Sequence, residues 1–246
     1  MSEFNPIEKS RNTPPVAVGE IISHAFENYK NALLYALLIF TGSFILSQIF
    51  SSVIAPLSGF DEEILLEVMQ DAMRGKPANF NEIPGSNMYV LLSWFVGLLL
   101  FPLNVGFMYI IHKFNTGQQV TFSDVTIGYR QNTGNIILYY ILTSILITIG
   151  LFLCFLPGVA LAVLFFLGIP IVFFENKSAV EAIKKSFEVS KPHFWTLFAA
   201  IILGVLITLS GILLCGIGIM LSGMFIYAVM YSAYCAVCGT PYKIKN

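Results

Sequence analysis

Six stretches of this chain, residues 32–57, 88–111, 136–156, 158–174, 194–215 and 217–237, contain no Asp, Glu, Lys, Arg or His. A bilayer's hydrocarbon core is about 30 Å thick, a distance that about 20 helical residues cover at about 1.5 Å each. Backbone groups at that depth must be bonded internally, which favours full helices. The pattern predicts six membrane-crossing helices. The third and fourth stretches form one apolar run broken at Pro157-Gly158, and the fifth and sixth form another broken at Gly216-Ile217-Gly218. Each run is about twice a span, so a tight hairpin is the simplest reading and two re-entrant segments are the alternative.

Composition agrees. The chain is 57% hydrophobic and 11% charged, against roughly 45–50% and 25% in a soluble domain. Its net charge of -1 provides no basic stripe for nucleic acid. The first seventeen residues are polar and hold three prolines. They read as an irregular tail rather than a signal peptide, because the first apolar run starts only at Ala32.

Positive charge sets the orientation. With the N-terminus in the cytoplasm, eleven Lys/Arg fall inside and only Arg74 and Lys76 outside, while acids divide eight to six. The positive-inside rule then places both termini of this multi-pass protein in the cytoplasm.

Within 18–238 one unit recurs three times, at about 18–115, 120–175 and 178–238, and 239–246 forms a cytoplasmic tail. Each unit reads as a short amphipathic helix, a breaker and two spans. The apolar stripes are Val18, Ile21, Ile22, Ala25, Phe26 and Tyr29; then Phe122, Val125 and Tyr129; then Val180, Ile183 and Phe187. Five residues after Phe26, Tyr129 and Phe187 stand Asn31, Gly134 and Pro192. Such helices are expected in the headgroup region, apolar face down.

The segment Ser178-Ala-Val-Glu-Ala-Ile-Lys-Lys-Ser-Phe-Glu-Val-Ser-Lys-Pro-His-Phe-Trp195, followed by a Gly-rich double span, resembles a loosely defined group of bacterial polytopic membrane proteins. The group includes six-span proteins and the membrane domain attached to some glycerophosphodiester phosphodiesterases. The resemblance implies an all-α six-span fold and transfers no catalytic residue. The phosphodiesterase barrel itself takes about 250 residues, for which the spans leave no room.

Candidate sites are few. Ionisable groups inside a span cost roughly 2.5–3.5 kcal/mol, so proton and ion pathways usually show themselves by such charges; these spans have none. Gln48 and Asn104 read as interhelical hydrogen-bonding residues. Pro102 and Pro170 interrupt helical bonding in the second and fourth spans, and with Asn104 they mark a candidate cleft; the sixth span has no such proline. Ser43, Ser47, Ser51 and Ala55 form a small-residue stripe suited to close helix packing, within the chain or between copies.

Between the first two spans, Asp61 is placed to cap a helix carrying Ile64, Leu65, Val68, Ala72 and Met73 and ending at Gly75. Glu63, Glu67 and Asp71 form its solvated acidic face. Cys235 and Cys238 make one CxxC, a weak zinc signal that reads better as packing. Cys154 and Cys215 fall at hairpin tips, where an oxidising compartment would let them pair. His24, His112 and His193 are scattered and lack ligand spacing. No catalytic constellation, phosphate loop, metal set or cofactor motif is present.

The expectation is an all-α membrane protein of six helices in three hairpins, with interfacial amphipathic helices and a non-enzymatic role. Its expected partners are membrane lipids, with Lys184, Lys185 and Lys191 meeting anionic headgroups, and another membrane protein or a second copy. A permease for an apolar or amphiphilic molecule, acting through the Pro102, Asn104 and Pro170 cleft, is the alternative.

Overall fold

The structure, a computed structural model, describes residues 13–76, 83–213 and 217–241. Six helices are long and apolar enough to cross a membrane, and no strand occurs among the described residues. The chain is an all-α polytopic membrane protein. Its contacts divide it into one unit of Met1–Phe40 with Pro102–Asn246 and a second of Thr41–Phe101.

Helix α1, Val18–Ser58, runs unbroken for 41 residues, or about 60 Å. The expected breaker at Asn31 does not break it. One interior Asn costs under about 0.7 kcal/mol of helix propensity, and fully buried Ala25, Ala32 and Ala36 hold the helix on either side. Helix α3, Ser86–Asn115, likewise contributes to both units.

In the second unit, α2 (Glu62–Met73) is capped by Asp61, whose carboxylate accepts from the Glu63 and Ile64 N–H groups. None of its residues is buried. Ser51 of the small-residue stripe hydrogen-bonds Tyr89 at 2.7 Å, and Tyr89 stacks on Phe60 at 4.2 Å. That part of the stripe therefore serves packing inside the chain. Gln48 is exposed on α1.

The first unit continues with a 3₁₀ segment, Phe122–Tyr129, then α4 (Thr133–Leu153), α5 (Phe155–Leu164) and α6 (Gly168–Phe174). Next come α7 (Ala179–Ser190), a 3₁₀ turn at Lys191–His193, α8 (Phe194–Ser210), α9 (Ile217–Ser222) and α10 (Phe225–Cys238). Pro192 separates α7 from α8 as expected. Ahead of α4 the turn is made by Asn132, not Gly134: its φ is +54°, and its amide donates to the Val172 and Lys177 carbonyls. Asn is among the few residues that adopt this left-handed backbone readily.

The α4–α5 hairpin turns at extended Cys154 rather than at Pro157-Gly158. Pro157 sits in the first turn of α5, where a missing N–H forfeits no helical bond. Gly158 has a packing task instead. A Cβ on Gly150 would lie 2.9 Å from the Gly158 Cα, and one on Gly158 would strike Leu151. Residues 214–216 and Cys215 fall outside the described residues, and with them the second hairpin tip and the pairing of Cys154.

The fourth span is interrupted between α5 and α6, with Pro170 in the first turn of α6. The sixth is interrupted too, at Gly223-Met224, without any proline. Gly223 lies so close to the Phe40 ring and the Ile219 carbonyl that no larger residue fits unmoved. Carbonyls at both interruptions find hydroxyl donors: Tyr139 to Phe165 at 2.6 Å, Ser186 to Leu164 at 2.8 Å and Tyr29 to Leu221 at 2.6 Å. A broken helix inside a membrane requires such compensation. All seven residues of α6 are buried. With α10 and residues 105–113 of α3 they form the core of this unit.

Candidate functional site

The polar side chains of the first unit gather where α1 begins and where α3, α6 and α10 end. Along α1, Glu20, His24, Glu27, Asn28 and Asn31 recur at three- and four-residue steps and so share one helix face. His24 Nδ1 lies 2.9 Å from Ser232 Oγ of α10. Its Nε2 lies 3.1 Å from Asn115 Oδ1 of α3 and 3.2 Å from Asn28 Nδ2. Ser232 can donate or accept, and Nε2 faces one donor and one acceptor, so either neutral tautomer fits. The chain of contacts continues inward. Asn115 Nδ2 donates to Tyr231 Oη at 3.1 Å, and Tyr231 Oη lies 3.0 Å from His112 Nδ1. His112 is fully buried, and its Nε2 has no hydrogen-bond partner among the described residues.

A cleft of about 480 Å³ opens on the outer side of this network. Thr13 and Pro14 form one wall, Phe114 another, and Glu20, Glu27 and Asn28 line the α1 side. Thr13 is fixed by a 2.8 Å contact between its Oγ1 and that of Thr240.

Two ion pairs flank the network. Lys113 Nζ donates to both oxygens of Asp124, at 2.9 and 2.8 Å, with both side chains nearly buried. Asp124 also accepts the Thr121 N–H at 2.7 Å. Glu175, at the end of α6, accepts from Lys185 of α7 at 2.6 Å and from the Tyr234 hydroxyl at 3.2 Å. The Glu175 side chain is 5% exposed and that of Lys185 30%.

The three lysines proposed for headgroup contact thus part company. Lys185 is engaged with Glu175, whereas Lys184 and Lys191 are exposed. Helix α7 buries its small residues, Ala179, Ala182, Ser186 and Ser190, against α4, α5 and α6. Val180 and Phe187 stay 51% and 40% exposed, and Trp195 at the start of α8 is 77% exposed.

Pro102, Asn104 and Pro170 do not line the cleft described above. Pro102 and Pro170 are buried. The space beside Pro102 and Gly106 is filled by the 3₁₀ segment: a Cβ on Gly106 would strike the Val125 carbonyl, and one on Gly128 the Pro102 carbonyl. Asn104 interacts with the Tyr227 hydroxyl of α10, an interhelical polar contact.

Nothing in the sequence announces the meeting of His24 and His112. They are 88 residues apart in sequence, and their link is Tyr231, which no local motif marks. The available clue was that both histidines, with Asn28 and Asn115, border predicted spans. Among the described residues, no three His, Cys, Asp or Glu side chains are arranged to hold a metal ion. Cys235 is buried and Cys238 half-buried, each a free thiol. Compared with known proteins, the chain matches no family model, no curated protein and no solved structure.

Proposed function

We propose that this chain is a non-enzymatic component of the bacterial inner membrane, with both termini cytoplasmic, that engages anionic lipid through α7. The observation carrying this reading is the division of labour on that helix. Its small residues face the protein, while Val180 and Phe187 remain outward beside Lys184 and Lys191. Outward apolar side chains flanked by lysines suit the acyl–headgroup boundary. Exposed Trp195, one position into the following helix, is the residue type enriched at that depth. Each lysine near an anionic surface is worth roughly 1 kcal/mol. The resemblance of residues 178–195 to bacterial six-span membrane proteins points the same way.

The test is lipid retention by the full chain. Purified from mixed anionic and zwitterionic lipid, the protein is expected to retain anionic lipid preferentially in native mass spectra. Lys184→Gln with Lys191→Gln should abolish the preference. Equal retention of both lipid classes by the unaltered protein would end this reading.

A permease reading draws on one specific observation, the paired interruptions at 165–167 and 223–224 in the second helices of two successive hairpins. Interrupted helices in matching positions often surround transporter binding sites. Here their described carbonyl partners are tyrosine and serine hydroxyls of the same chain. Proteoliposomes holding the protein should accumulate an amphiphilic substrate faster than empty vesicles if that reading holds. Equal rates across a panel of amphiphiles would remove it.

A further inference from the structure

We infer that the outward side of α1 is a self-association surface, on which Gln48 pairs with the same residue of a second copy of this chain. The surface lies on residues separate from α7, so it stands independently of the anionic-lipid reading.

Depth supplies the first argument. No charged residue occurs between Lys30 and Asp61, and the midpoint of that stretch falls between residues 45 and 46. Gln48 therefore lies about 4 Å from the midpoint along the helix, at about 1.5 Å per residue. That is well inside a hydrocarbon core about 30 Å thick. Its side chain is exposed, so it faces acyl chains rather than protein or water.

The unmet hydrogen bonds supply the second. Among the described residues the Gln48 amide makes no hydrogen bond. Acyl chains carry no donor or acceptor, and a polar group left unsatisfied at that depth is costly. Ser52, one turn further on, spends its exposed hydroxyl on the Ile49 carbonyl of its own helix at 2.7 Å. Gln48 has no such outlet. Thr41 stands seven residues before Gln48 and Ser52 four residues after it, so the three share one side of the helix. Phe44 and Ile45, exposed at 50% and 53%, flank them with apolar surface.

Coverage supplies the third. Only 11% of the apolar stretch of α1 is buried within the chain, the least of the six spans, against 50% in the fourth and sixth. The rest of α1 is open to a neighbour in the bilayer.

The amide itself selects the occupant. A carboxamide holds both donors and an acceptor. Opposite an identical amide across a twofold axis, each donates to the other's oxygen, and the contact closes as a dimer. Carboxamides bridge membrane helices in this way. The seven-residue step from Thr41 to Gln48 is also that of a two-helix seam, where one polar residue fixes register and the number of strands. With no charge between Lys30 and Asp61, nothing repels a second copy.

The experiment places the full chain, fused to a monomeric fluorescent protein, in liposomes at decreasing protein-to-lipid ratios under reducing conditions. Single-molecule photobleaching counts the subunits. Expected is a monomer–dimer equilibrium that moves toward monomer on dilution. Gln48→Leu should weaken association by about tenfold or more, with a Tm in detergent no lower than that of the original chain. Oxidation should then join Gln48→Cys chains to one another beyond the background set by Cys154. Phe50→Cys, exposed on the opposite side of the helix, should stay at that background. The proposal is overturned by a chain that is monomeric at every ratio, or by a dimer that Gln48→Leu leaves intact. Cross-linking through position 50 as strong as through position 48 overturns it too. So does a Gln48-dependent complex with a different membrane protein when the purified chain is monomeric.

Discussion

The two segments that join successive hairpins, residues 122–129 and α7, solve the same problem in different ways. Each follows the buried end of a span, and each is tied back to that end by an ion pair: Lys113 with Asp124, and Glu175 with Lys185. Each also places an acid at the third position, where it accepts the backbone N–H of the residue before the segment. In the first segment one residue does both, because Asp124 caps Thr121 and holds Lys113. In α7 the tasks are split: Glu181 caps Ser178 at the surface, while Lys185 reaches Glu175. The first segment is consequently a single knot, seated on α3 through Gly106 and Gly128. The second has separable ties and keeps one face turned outward. Concentrating two interactions on one buried carboxylate fixes a segment rigidly and makes it fragile to a single change.

The largest effect should come from cutting the knot. Asp124→Asn strands a buried lysine, a change that costs about 3–5 kcal/mol when one partner of a buried pair is lost. Denaturant or thermal unfolding in mild detergent reads it directly. The apolar double variant Lys113→Met with Asp124→Leu should recover much of the loss, because it strands no charge. A single variant that lowers stability by under about 1 kcal/mol would mean the pair behaves as a solvated one, and the contrast would collapse.

Next in size is Lys185→Met. Glu175 retains the Tyr234 hydroxyl and Lys185 is partly solvated, so the expected cost is about 1.5–3 kcal/mol, that of one charged hydrogen bond. Separable ties also predict additivity. Lys185→Met and Ser178→Ala should combine to within about 0.5 kcal/mol. A larger coupling would show that α7 is a knot after all.

The spans, their number and the Asp61 cap were legible because each rests on a local signal: charge-free length, or a capping side chain before a helix. Asn31 misled because a propensity cost under about 0.7 kcal/mol is outweighed by packing that sequence does not display. Cys154 turns the chain where Pro157-Gly158 was expected, since proline in a first helical turn opens a helix as readily as it ends one. The interruption at Gly223 has no proline to announce it and depends on Phe40, far off in sequence. The polar network and its cleft were the least legible. His24, Asn115 and Tyr231 come from three helices, and only tertiary placement joins them. Lys185 reads like its neighbour Lys184 in sequence, and Glu175 alone distinguishes them.

Ser186→Ala tests whether α7 supports the interrupted fourth span as well as its own position. Ser186 is fully buried and donates to the Leu164 carbonyl, so removing it leaves that carbonyl short of a partner at about 1–2 kcal/mol. Tyr139→Phe should cost less, because the Phe165 carbonyl keeps the Gly168 N–H. Residues 122–129 have no part in either interruption among the described hydrogen bonds, so variants there should leave exchange of the 164–168 amides unchanged. Faster exchange of those amides in Ser186→Ala alone would sharpen the contrast between the segments.

The smallest effect belongs to the surface cap of α7. Ser178→Ala removes the hydroxyl that accepts the Glu181 N–H and donates to its carboxylate, worth about 1 kcal/mol for a helix N-cap. The same hydroxyl, with the Ser178 N–H, holds the Glu181 carboxyl below its usual range. A carboxyl depressed on folding contributes stability above its unfolded pKa, and the contribution disappears as pH falls through the lower folded value. The gap between the original chain and Ser178→Ala should therefore be full near neutrality and narrow below about pH 4.3, the ordinary glutamate value. Asp124, buried in its knot, should show no such separation of cap from ion pair: Thr121→Ala keeps the backbone N–H that Asp124 binds and should cost less than Ser178→Ala. A Thr121→Ala loss that exceeds the Ser178→Ala loss would place the first segment's cap on its hydroxyl, and the distinction between one knot and two ties would then rest on the ion pairs alone.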